Sequence, residues 1–346
     1  MENLDEVSIE KVPMEDVREF YENLESWMSD LPPQLKTLPI NHLAIPGSHD
    51  SMTYTITKKS KIGPDGPHFL RYLGCLLPVV RPIIFNWSIT QHEDVKAQLN
   101  GGIRYLDLRV ARKCQSDEVC FLHGLYGAPV EQPLNDISDW LSLHPEEVVI
   151  LDFQHFYEFD DSLHHELIKI IERTFRGKLC PVFSSFSHIS LQWLALEKYQ
   201  VIAIYRNIAV LTATNLWYSN LWITPWPNTV NPGYLVRFLD EELETRNTET
   251  GFVSQCLLTP DTYYVARHFF GNLEKDLVNV CRDNILPWIR EKKPGSDGLN
   301  IVISDFVSYN DFLFSKTVIQ RNAELLKWSD KTTSRKYIEV RSKSKT

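Results

Sequence analysis

Short apolar segments rich in β-branched residues alternate with longer segments of helical periodicity along most of the chain. The apolar segments predict eight strands, at residues 42–46, 103–110, 119–123, 148–153, 200–205, 221–224, 252–257 and 300–306. The helical segments lie between them, at about 90–100, 134–144, 161–176, 190–197, 231–245, 262–282 and 311–327. This alternation is typical of an α/β fold with a mainly parallel sheet.

The number of alternations favours one architecture within that class. Eight strand–helix alternations in a chain of 346 residues predict a single TIM-type (β/α)₈ barrel, whose usual size is similar. A doubly wound open sheet is the alternative. Because no internal repeat, low-complexity segment or Gly/Ser linker divides the sequence, one barrel domain is expected over residues 31–327.

The two ends of the chain carry opposite charge. Residues 1–30 contain ten acidic and two basic residues, whereas residues 331–346 contain six basic and one acidic residue. Apolar positions within residues 14–28 have helical spacing, which predicts an amphipathic helix across one end of the barrel. The basic tail, residues 328–346, is interpreted either as a solubilising tail or as a segment attracted to an anionic membrane leaflet.

Composition argues against several classes of protein. The formal net charge of −9 argues against a nucleic-acid binder, which neutralises phosphates with a basic surface. The longest apolar stretch, residues 72–85, is interrupted by prolines and an arginine and is shorter than the ~20 residues of a membrane span. The acidic N-terminus lacks the pattern of a secretory signal, so a cytoplasmic location is expected. The six cysteines form no CxxC pair and are predicted to be free thiols.

Ionisable and polar side chains recur at the ends of the predicted strands. A barrel brings the carboxyl ends of its strands to one face, and polar groups in apolar strands are costly to bury unless they are paired. Their convergence therefore predicts a cleft at that face. The residues at these positions are His49, Asp50, Asp107, Arg109, His123, Asp152, Gln154, His155, Arg206, Gln255 and Asp305.

Two of these residues, His49 and His123, predict metal-free acid–base chemistry on a phosphodiester. One imidazole can remove a proton from an attacking hydroxyl while the other protonates the leaving oxygen. Arg109 can bind the phosphate through two hydrogen bonds and offset its growing charge. Asp50 and Asp305 supply carboxylates beside the histidines.

Other interpretations of the same residues stay open at this point. A strand histidine can be a hydrogen-bonded core residue, and Arg109 can be a structural partner of Asp107. A metal site is disfavoured because Arg109 and the neutral Gln154 stand where further carboxylate ligands are needed.

Four sequence blocks resemble the X domain of phosphatidylinositol-specific phospholipases C. They are AIPGSHDSM at 44–52, GGIRYLDLR at 101–109, FLHGLYG at 121–127 and PEEVVILDFQHFYEF at 145–159, in the order and at the spacing of that family. With GLNIVISDF at 298–306, the resemblance covers about residues 35–325 and is greatest to the small eukaryotic X-domain-containing proteins. It implies a distorted TIM barrel that cleaves phosphatidylinositol by attack of the inositol 2-hydroxyl, giving diacylglycerol and inositol cyclic phosphate.

The resemblance also implies a role for each site residue. His49 is the general base and is oriented by Asp305. His123 is the general acid and is supported by Asp50. Arg109 takes the position of the phosphate-binding arginine of bacterial enzymes, where calcium-dependent relatives have an acidic ligand, so no cofactor and no calcium are expected. The other positions implied to contact the substrate are Asp107, Gln154, Arg206, Trp226 and Gln255.

A phosphatidylinositol substrate implies peripheral contact between the rim of the cleft and a membrane. The apolar segment 69–87 and the KKSK run at 58–61 are candidates for this contact, with buried core and a solvated loop as their respective alternatives. Two alternative functions are a non-catalytic lipid-binding module on the same barrel and a metal-dependent phosphodiesterase of the glycerophosphodiester or sphingomyelinase D type.

Overall fold

The structure is a computed structural model that describes residues 23–66, 77–113 and 115–326. In these ranges the strands are Ile45–Ser48 (β1), Tyr105–Arg112 (β2), Val119–His123 (β3), Leu125–Pro129 (β4), Val149–Tyr157 (β5), Val201–Tyr205 (β6), Trp222–Ile223 (β7), Gly251–Gln255 (β8) and Ile301–Ser304 (β9). The α-helices are Pro33–Lys36 (α1), Leu77–Ser88 (α2), Val95–Asn100 (α3), Glu131–Leu143 (α4), Asp161–Thr174 (α5), Leu191–Glu197 (α6), Pro232–Glu244 (α7), Thr262–Arg267 (α8), Asn279–Glu291 (α9) and Tyr309–Gln320 (α10).

Seven of these strands run parallel around a distorted barrel. β1 pairs with β2 on one side and with β9 on the other, so the first and last strands lie side by side. From β2 the sheet continues through β5 to β6, and from β9 it continues through β8 to β7. Between β6 and β7 the described residues form one isolated bridge, from Ile204 to Trp217, in place of a ladder. The predicted TIM-type barrel is confirmed, with a break in its ring.

The third predicted strand is not part of the parallel ring. β3 runs antiparallel to β2 and to β4 and forms a hairpin beside the barrel. Six residues, 113–118, separate β2 from β3, whereas a parallel connection needs about a dozen residues or more. Gly124, with a φ of 65°, makes the tight turn from β3 into β4. The sequence LYGAP of β4 has no β-branched residue, which is why no strand is predicted there.

Burial on both faces explains the apolar composition of the ring strands. Every side chain of β1, β6 and β9 is buried. In β5, Val149 and Leu151 pack in the cluster that includes residues of α4 and α5, whereas Ile150 packs with residues of the neighbouring strands in the second cluster. Helices therefore cover the outer face of the sheet and strand side chains fill the barrel.

The N-terminal residues close the end of the barrel at which the strands begin. Trp27 and Met28 are fully buried, and the indole N–H of Trp27 donates to the carbonyl of Gly102. Arg104, just before β2, and Glu147, just before β5, form an ion pair with a separation of 2.7 Å and no solvent exposure. This pair binds the N-terminal segment to the barrel.

Residues 23–30 form turns, so the predicted helix over 14–28 is wrong in its described part. The guanidinium of Arg104 donates to the carbonyl of Glu25, and the carboxylate of Glu147 accepts from the backbone N–H of Ser29. These bonds to the barrel replace hydrogen bonds that a helix would make with itself. Residues 14–22 of that prediction lie outside the described residues, as do the basic tail, residues 328–346, and residues 69–76 of the apolar segment.

The helix predictions agree with the structure in position and differ at the ends. Asp160 caps α5 by accepting from the backbone N–H of Leu163. The helix predicted at about 134–144 begins earlier, at Glu131. Residues 262–282 divide into α8, a π-helical turn at Glu274–Val278 and the start of α9.

Two predictions about composition also have structural outcomes. Cys120, Cys180, Cys256 and Cys281 are free and buried, as predicted, while Cys75 and Cys114 lie outside the described residues. Among the described helices, none combines the length and the apolar composition that crossing a bilayer requires.

Candidate active site

The barrel brings the five residues predicted to be catalytic into one cluster. β1 lies between β2 and β9, so the residues that follow β1 are flanked by the carboxyl ends of both neighbours. The hairpin adds the last residue of β3 to the same place. The members of the cluster are His49, Asp50, Arg109, His123 and Asp305.

His49 has a charged neighbour at each ring nitrogen. Its Nδ1 lies 2.7 Å from Oδ1 of Asp305. Its Nε2 lies 3.2 Å from Oδ2 of Asp50 and 3.0 Å from Nη2 of Arg109. Burial lowers the pKa of His49, but the carboxylates of Asp50 and Asp305 outweigh burial and raise this pKa to about 9. The two carboxylates therefore favour the imidazolium form of His49, and the positive charge of Arg109 opposes it.

Asp50 lies between the two histidines. Its Oδ2 is 3.2 Å from Nε2 of His49 and 3.2 Å from Nε2 of His123, and its Oδ1 is 2.6 Å from Nε of Arg109. Burial raises the pKa of Asp50, but Arg109, followed by His123 and His49, holds the pKa below its usual value. Asp50 has a φ of 41°, a conformation that Asp tolerates better than most residues. A single carboxylate thus lies within 3.2 Å of a nitrogen atom of three side chains, His49, His123 and Arg109.

A backbone carbonyl fixes the ring of His123. Nδ1 of His123 donates to the carbonyl oxygen of Ser88 over 2.6 Å, so Nε2 is the nitrogen directed at Asp50. The rings of His49 and His123 meet edge to face with their centroids 6.2 Å apart. The two imidazoles are therefore close enough to act on the same substrate group.

Asp107 and Arg109 complete the charged cluster. Asp107 is buried, and burial raises its pKa. Among the described residues, His49, Asp50 and Asp107 have potential ligand atoms within 4.8 Å of one another. The guanidinium of Arg109 lies 2.6 Å from Asp50 and 3.7 Å from Asp107, within the same group of side chains. Its fixed positive charge repels a divalent cation at this place.

Two predicted substrate contacts lie on neighbouring strands and bind other side chains in the free protein. Arg206, after β6, donates two hydrogen bonds to Asp152, over 2.8 and 2.7 Å, and one to the carbonyl of Trp222. Gln154 in β5 donates to the hydroxyl of Tyr105, which donates to Asp152 over 2.6 Å. Asp152 therefore holds Arg206 and orders this side of the site.

The other two predicted contacts, Gln255 and Trp226, lie around the ends of β7 and β8. Gln255 is buried and donates to the hydroxyl of Thr224 over 2.9 Å. Trp226 is 53% exposed, and its indole N–H donates to the hydroxyl of Thr259. These hydrogen bonds connect the β7 and β8 loops with each other rather than with the histidine cluster.

Sequence reasoning missed the segment that follows α2. In addition to the bond from His123 to Ser88, the hydroxyl of Thr90 donates to the carbonyl of His49 over 3.1 Å. The side chain of Gln91 donates to the same carbonyl over 3.0 Å. The available signal was the abrupt change from the apolar residues of α2 to the polar run SITQHED at 88–94.

Several exposed apolar side chains belong to the loops and helices that follow the carboxyl ends of β6 to β9, the ends that point to the face of the site. They are Ile208, Leu211, Trp226, Val230, Tyr263, Phe269, Phe270 and Tyr309. The ring of Phe270 is 94% exposed. Large apolar groups held in water around a cleft are typical of an interaction site. We call these eight residues the apolar rim.

Comparison with known proteins assigns the chain to a family. The family model described as PI-PLC X 1 matches residues 86–167. PI-PLC X domain-containing protein 2 of Mus musculus is 40% identical to the chain over 299 residues, which are 86% of this chain and 87% of that protein. The chain belongs to the family of PI-PLC X domain-containing proteins. PI-PLC X domain-containing protein 1 of Homo sapiens is 38% identical over 311 residues, or 87% of this chain and 93% of the relative.

Solved bacterial structures share the fold of this PI-PLC X domain-containing chain. A variant of the phosphatidylinositol-specific phospholipase C of Staphylococcus aureus superposes with a TM-score of 0.61 at 15% identity, covering 87% of this chain and 99% of the other. The phosphatidylinositol-specific phospholipase C of Listeria monocytogenes superposes with a TM-score of 0.58 at 18% identity, covering 86% and 98%. The family and barrel predicted from the sequence are confirmed.

Proposed function

We propose that this protein cleaves phosphatidylinositol by a phospholipase C reaction that uses two histidines and no metal ion. The observation that carries the proposal is the arrangement of His49 and His123 around one carboxylate, with Arg109 at 3.0 Å from His49. Two imidazoles beside a guanidinium supply a base, an acid and a phosphate ligand. Membership of the PI-PLC X family supports an inositol lipid as the substrate.

In the proposed reaction, the substrate phosphate binds Arg109 in place of the carboxylate of Asp50. Nε2 of His49 accepts the proton of the inositol 2-hydroxyl as its oxygen forms a bond to phosphorus. The bond from phosphorus to the glycerol oxygen breaks, and His123 supplies the proton that this oxygen takes up. The products are diacylglycerol and inositol 1,2-cyclic phosphate. Asp305 keeps Nε2 of His49 directed at the substrate by accepting from Nδ1.

The proposed base must lose a proton before it can act. The pKa of His49 is raised to about 9 in the free site, so only a small fraction of the molecules has a neutral imidazole at pH 7. The same carboxylates that raise this pKa stabilise the imidazolium formed when His49 accepts the substrate proton. The rate is therefore expected to rise with pH as His49 is deprotonated.

We further infer that the protein contacts the membrane peripherally through the apolar rim. A lipid head group in a bilayer can reach the cluster only if the loops around the cleft approach the membrane surface. Burying one large apolar side chain contributes roughly 1.5–3 kcal/mol. The exposed residues Lys58 and Lys59, in the loop after β1, add attraction of about 1 kcal/mol each towards an anionic leaflet.

The proposal is tested by identifying the phosphorus-containing products. Full-length protein is incubated with vesicles of phosphatidylinositol and phosphatidylcholine, and the reaction is followed by ³¹P NMR, with the double variant His49→Ala, His123→Ala as the control. Inositol cyclic phosphate, produced by the wild type alone, is expected. Vesicle binding with no product would overturn the proposal in favour of a lipid-binding module. Products that appear only with added metal would favour the metal-dependent phosphodiesterase.

A further inference from the structure

A buried glutamine, Gln91, connects the ends of the two strands that supply His49 and Asp305. Gln91 is 1% exposed. Its Nε2 donates to the carbonyl of His49 over 3.0 Å and to the carbonyl of Ser304 over 3.1 Å. Its Oε1 accepts from the backbone N–H of Val307 over 3.2 Å. Both N–H groups of the amide are thus used, one for each strand end.

This connection begins where the sheet ends. Regular pairing between β1 and β9 stops at Ser48, which lies opposite Ser304. His49 and Asp305 are the next residues, and the backbone beyond them leaves the sheet on both sides. The N–H of His49 still donates to the carbonyl of Ser304 over 3.1 Å, and the amide of Gln91 adds a second link between the two strand ends at the position where the two side chains meet.

The backbone on both sides of Asp305 is attached to the same segment. The carbonyl before Asp305, that of Ser304, accepts from Gln91, and the N–H after it, that of Phe306, donates to the carbonyl of Thr90 over 2.6 Å. Phe306 has a φ of 46°, a conformation that an aromatic residue adopts only when its surroundings impose it. Residues 90–91 thus hold the loop of Asp305 against His49.

We propose that Gln91 is a positioning residue that keeps the side chains of His49 and Asp305 within hydrogen-bonding distance. Its effect on turnover depends on the proposed phospholipase reaction, whereas its effect on the His49–Asp305 pair does not. Without the amide, one backbone hydrogen bond, from His49 to Ser304, is left to hold the two strand ends, so their side chains can shift. A displacement of about 1 Å in a catalytic group can lower a rate by ~10²-fold.

The test compares Gln91→Met with a matched control, Gln200→Met. Methionine has a similar length but cannot donate a hydrogen bond. Gln200 also lies in the interior and donates to the carbonyls of Leu141, His144 and Glu147, but at the opposite end of the barrel. Both variants are expected to lower the Tm. Only Gln91→Met is expected to lower kcat, by about 10- to 100-fold, with an unchanged KM.

The second readout is the pKa of His49, measured by ¹H–¹³C NMR of histidine-labelled protein. The His49 signal is assigned by its absence from His49→Gln. We expect the pKa of His49 to fall in Gln91→Met and to stay near the wild-type value in Gln200→Met, since a longer distance to Asp305 weakens the carboxylate's effect. Gln91→Leu, which also removes both donors and adds no charge, replaces Gln91→Met if that variant does not fold, and the same fall is expected.

The outcomes separate this inference from the proposed function. If Gln91→Met and Gln200→Met show the same kcat and the same His49 pKa, the positioning role is wrong. If the wild type cleaves no phosphatidylinositol, the phospholipase proposal is wrong, while the NMR titration still decides the role of Gln91 because it requires no turnover.

Discussion

Nδ1 of His49 lies 2.7 Å from Oδ1 of Asp305, although 256 positions separate the two residues in the sequence. This hydrogen bond places a proton on Nδ1 and directs Nε2 at Asp50 and Arg109. A base whose orientation is fixed by a third group is the arrangement that acid–base catalysis requires.

Removal of either imidazole is the first test of the proposed mechanism. His49→Ala and His123→Ala are each expected to lower the rate of diacylglycerol release by ~10²–10⁴-fold, because each loses one proton-transfer group. His165→Ala is the control, since His165 is exposed on α5 and binds a carbonyl of its own helix. Near-normal turnover in either active-site variant, with the fold verified by circular dichroism, would contradict the assignment.

Arg109→Lys tests whether Arg109, the proposed phosphate-binding residue, acts through its charge alone or also through its geometry. Lysine keeps the positive charge but loses the planar pair of donors. We expect turnover to fall by roughly 100-fold or more, with little change in vesicle binding measured by sedimentation. If lysine supports most of the activity, charge alone is sufficient and the geometric argument is wrong.

The pKa of His49 predicts the pH dependence of the reaction. The value of about 9 places the midpoint of the limb of kcat/KM that depends on His49 above neutral pH. Asp305→Asn removes one of the carboxylates that raise this pKa, so the rising limb is expected to move to lower pH as well as to lower rates. An unchanged midpoint in Asp305→Asn would show that another group controls the limb.

The raised pKa of His49 also makes the folded protein less stable as the pH rises. The pKa of His49 is higher in the folded protein than its ordinary value of 6.5, so protonation favours the folded state. This contribution is fully present below pH 6.5 and is lost as the pH rises through about 9. Urea unfolding is therefore expected to show a decrease in the free energy of unfolding over this range that is absent from His49→Gln.

Chelation tests the proposed absence of a metal requirement. Because Arg109 supplies the positive charge within the cluster, EGTA is expected to leave turnover on neutral micelles unchanged. Arg109→Asp would place a third carboxylate beside Asp50 and Asp107, and we expect weak activity that depends on added calcium. Loss of wild-type activity with EGTA, restored by micromolar calcium, would contradict the metal-free mechanism and leave the two-histidine assignment intact.

The buried pair of Arg104 and Glu147 predicts a large effect on stability at the opposite end of the barrel. Glu147→Gln leaves the charge of Arg104 without its partner, and the free energy of unfolding is expected to fall by about 3–5 kcal/mol. Glu146→Gln is the control, because Glu146 is half exposed and pairs with Lys36 at the surface, where a pair contributes about 0–1 kcal/mol. Equal losses in urea unfolding would contradict the prediction.

The sequence predicted the barrel and the cluster because both depend on the order of residue types along the strands. Apolar runs located the ring strands, and the polar residues at their ends identified His49, Asp50, Arg109, His123 and Asp305. The antiparallel direction of β3 was not predicted. The connection from β2 to β3 is too short for a parallel crossover, so this signal was present in the sequence.

Other features depend on contacts that no pattern in the sequence reveals. The apolar residues around Trp27 and Met28 have the spacing of a helix, but the chain buries both side chains in a segment of turns. Gln91 donates to backbone carbonyls, which every residue has, so the sequence does not reveal its partners. Arg206 was predicted to contact the substrate, and its partner in the free protein, Asp152, lies 54 positions away.

The pairing of β1 with β9 also determines when a newly synthesised chain can form the hydrogen bond between His49 and Asp305. During synthesis, the ribosome adds His49 long before Asp305, since the two residues are 256 positions apart. Closing so long a loop is entropically costly and comes after local structure has formed. A nascent chain therefore carries the proposed base without its carboxylate, and a chain that stops before β9 never acquires it.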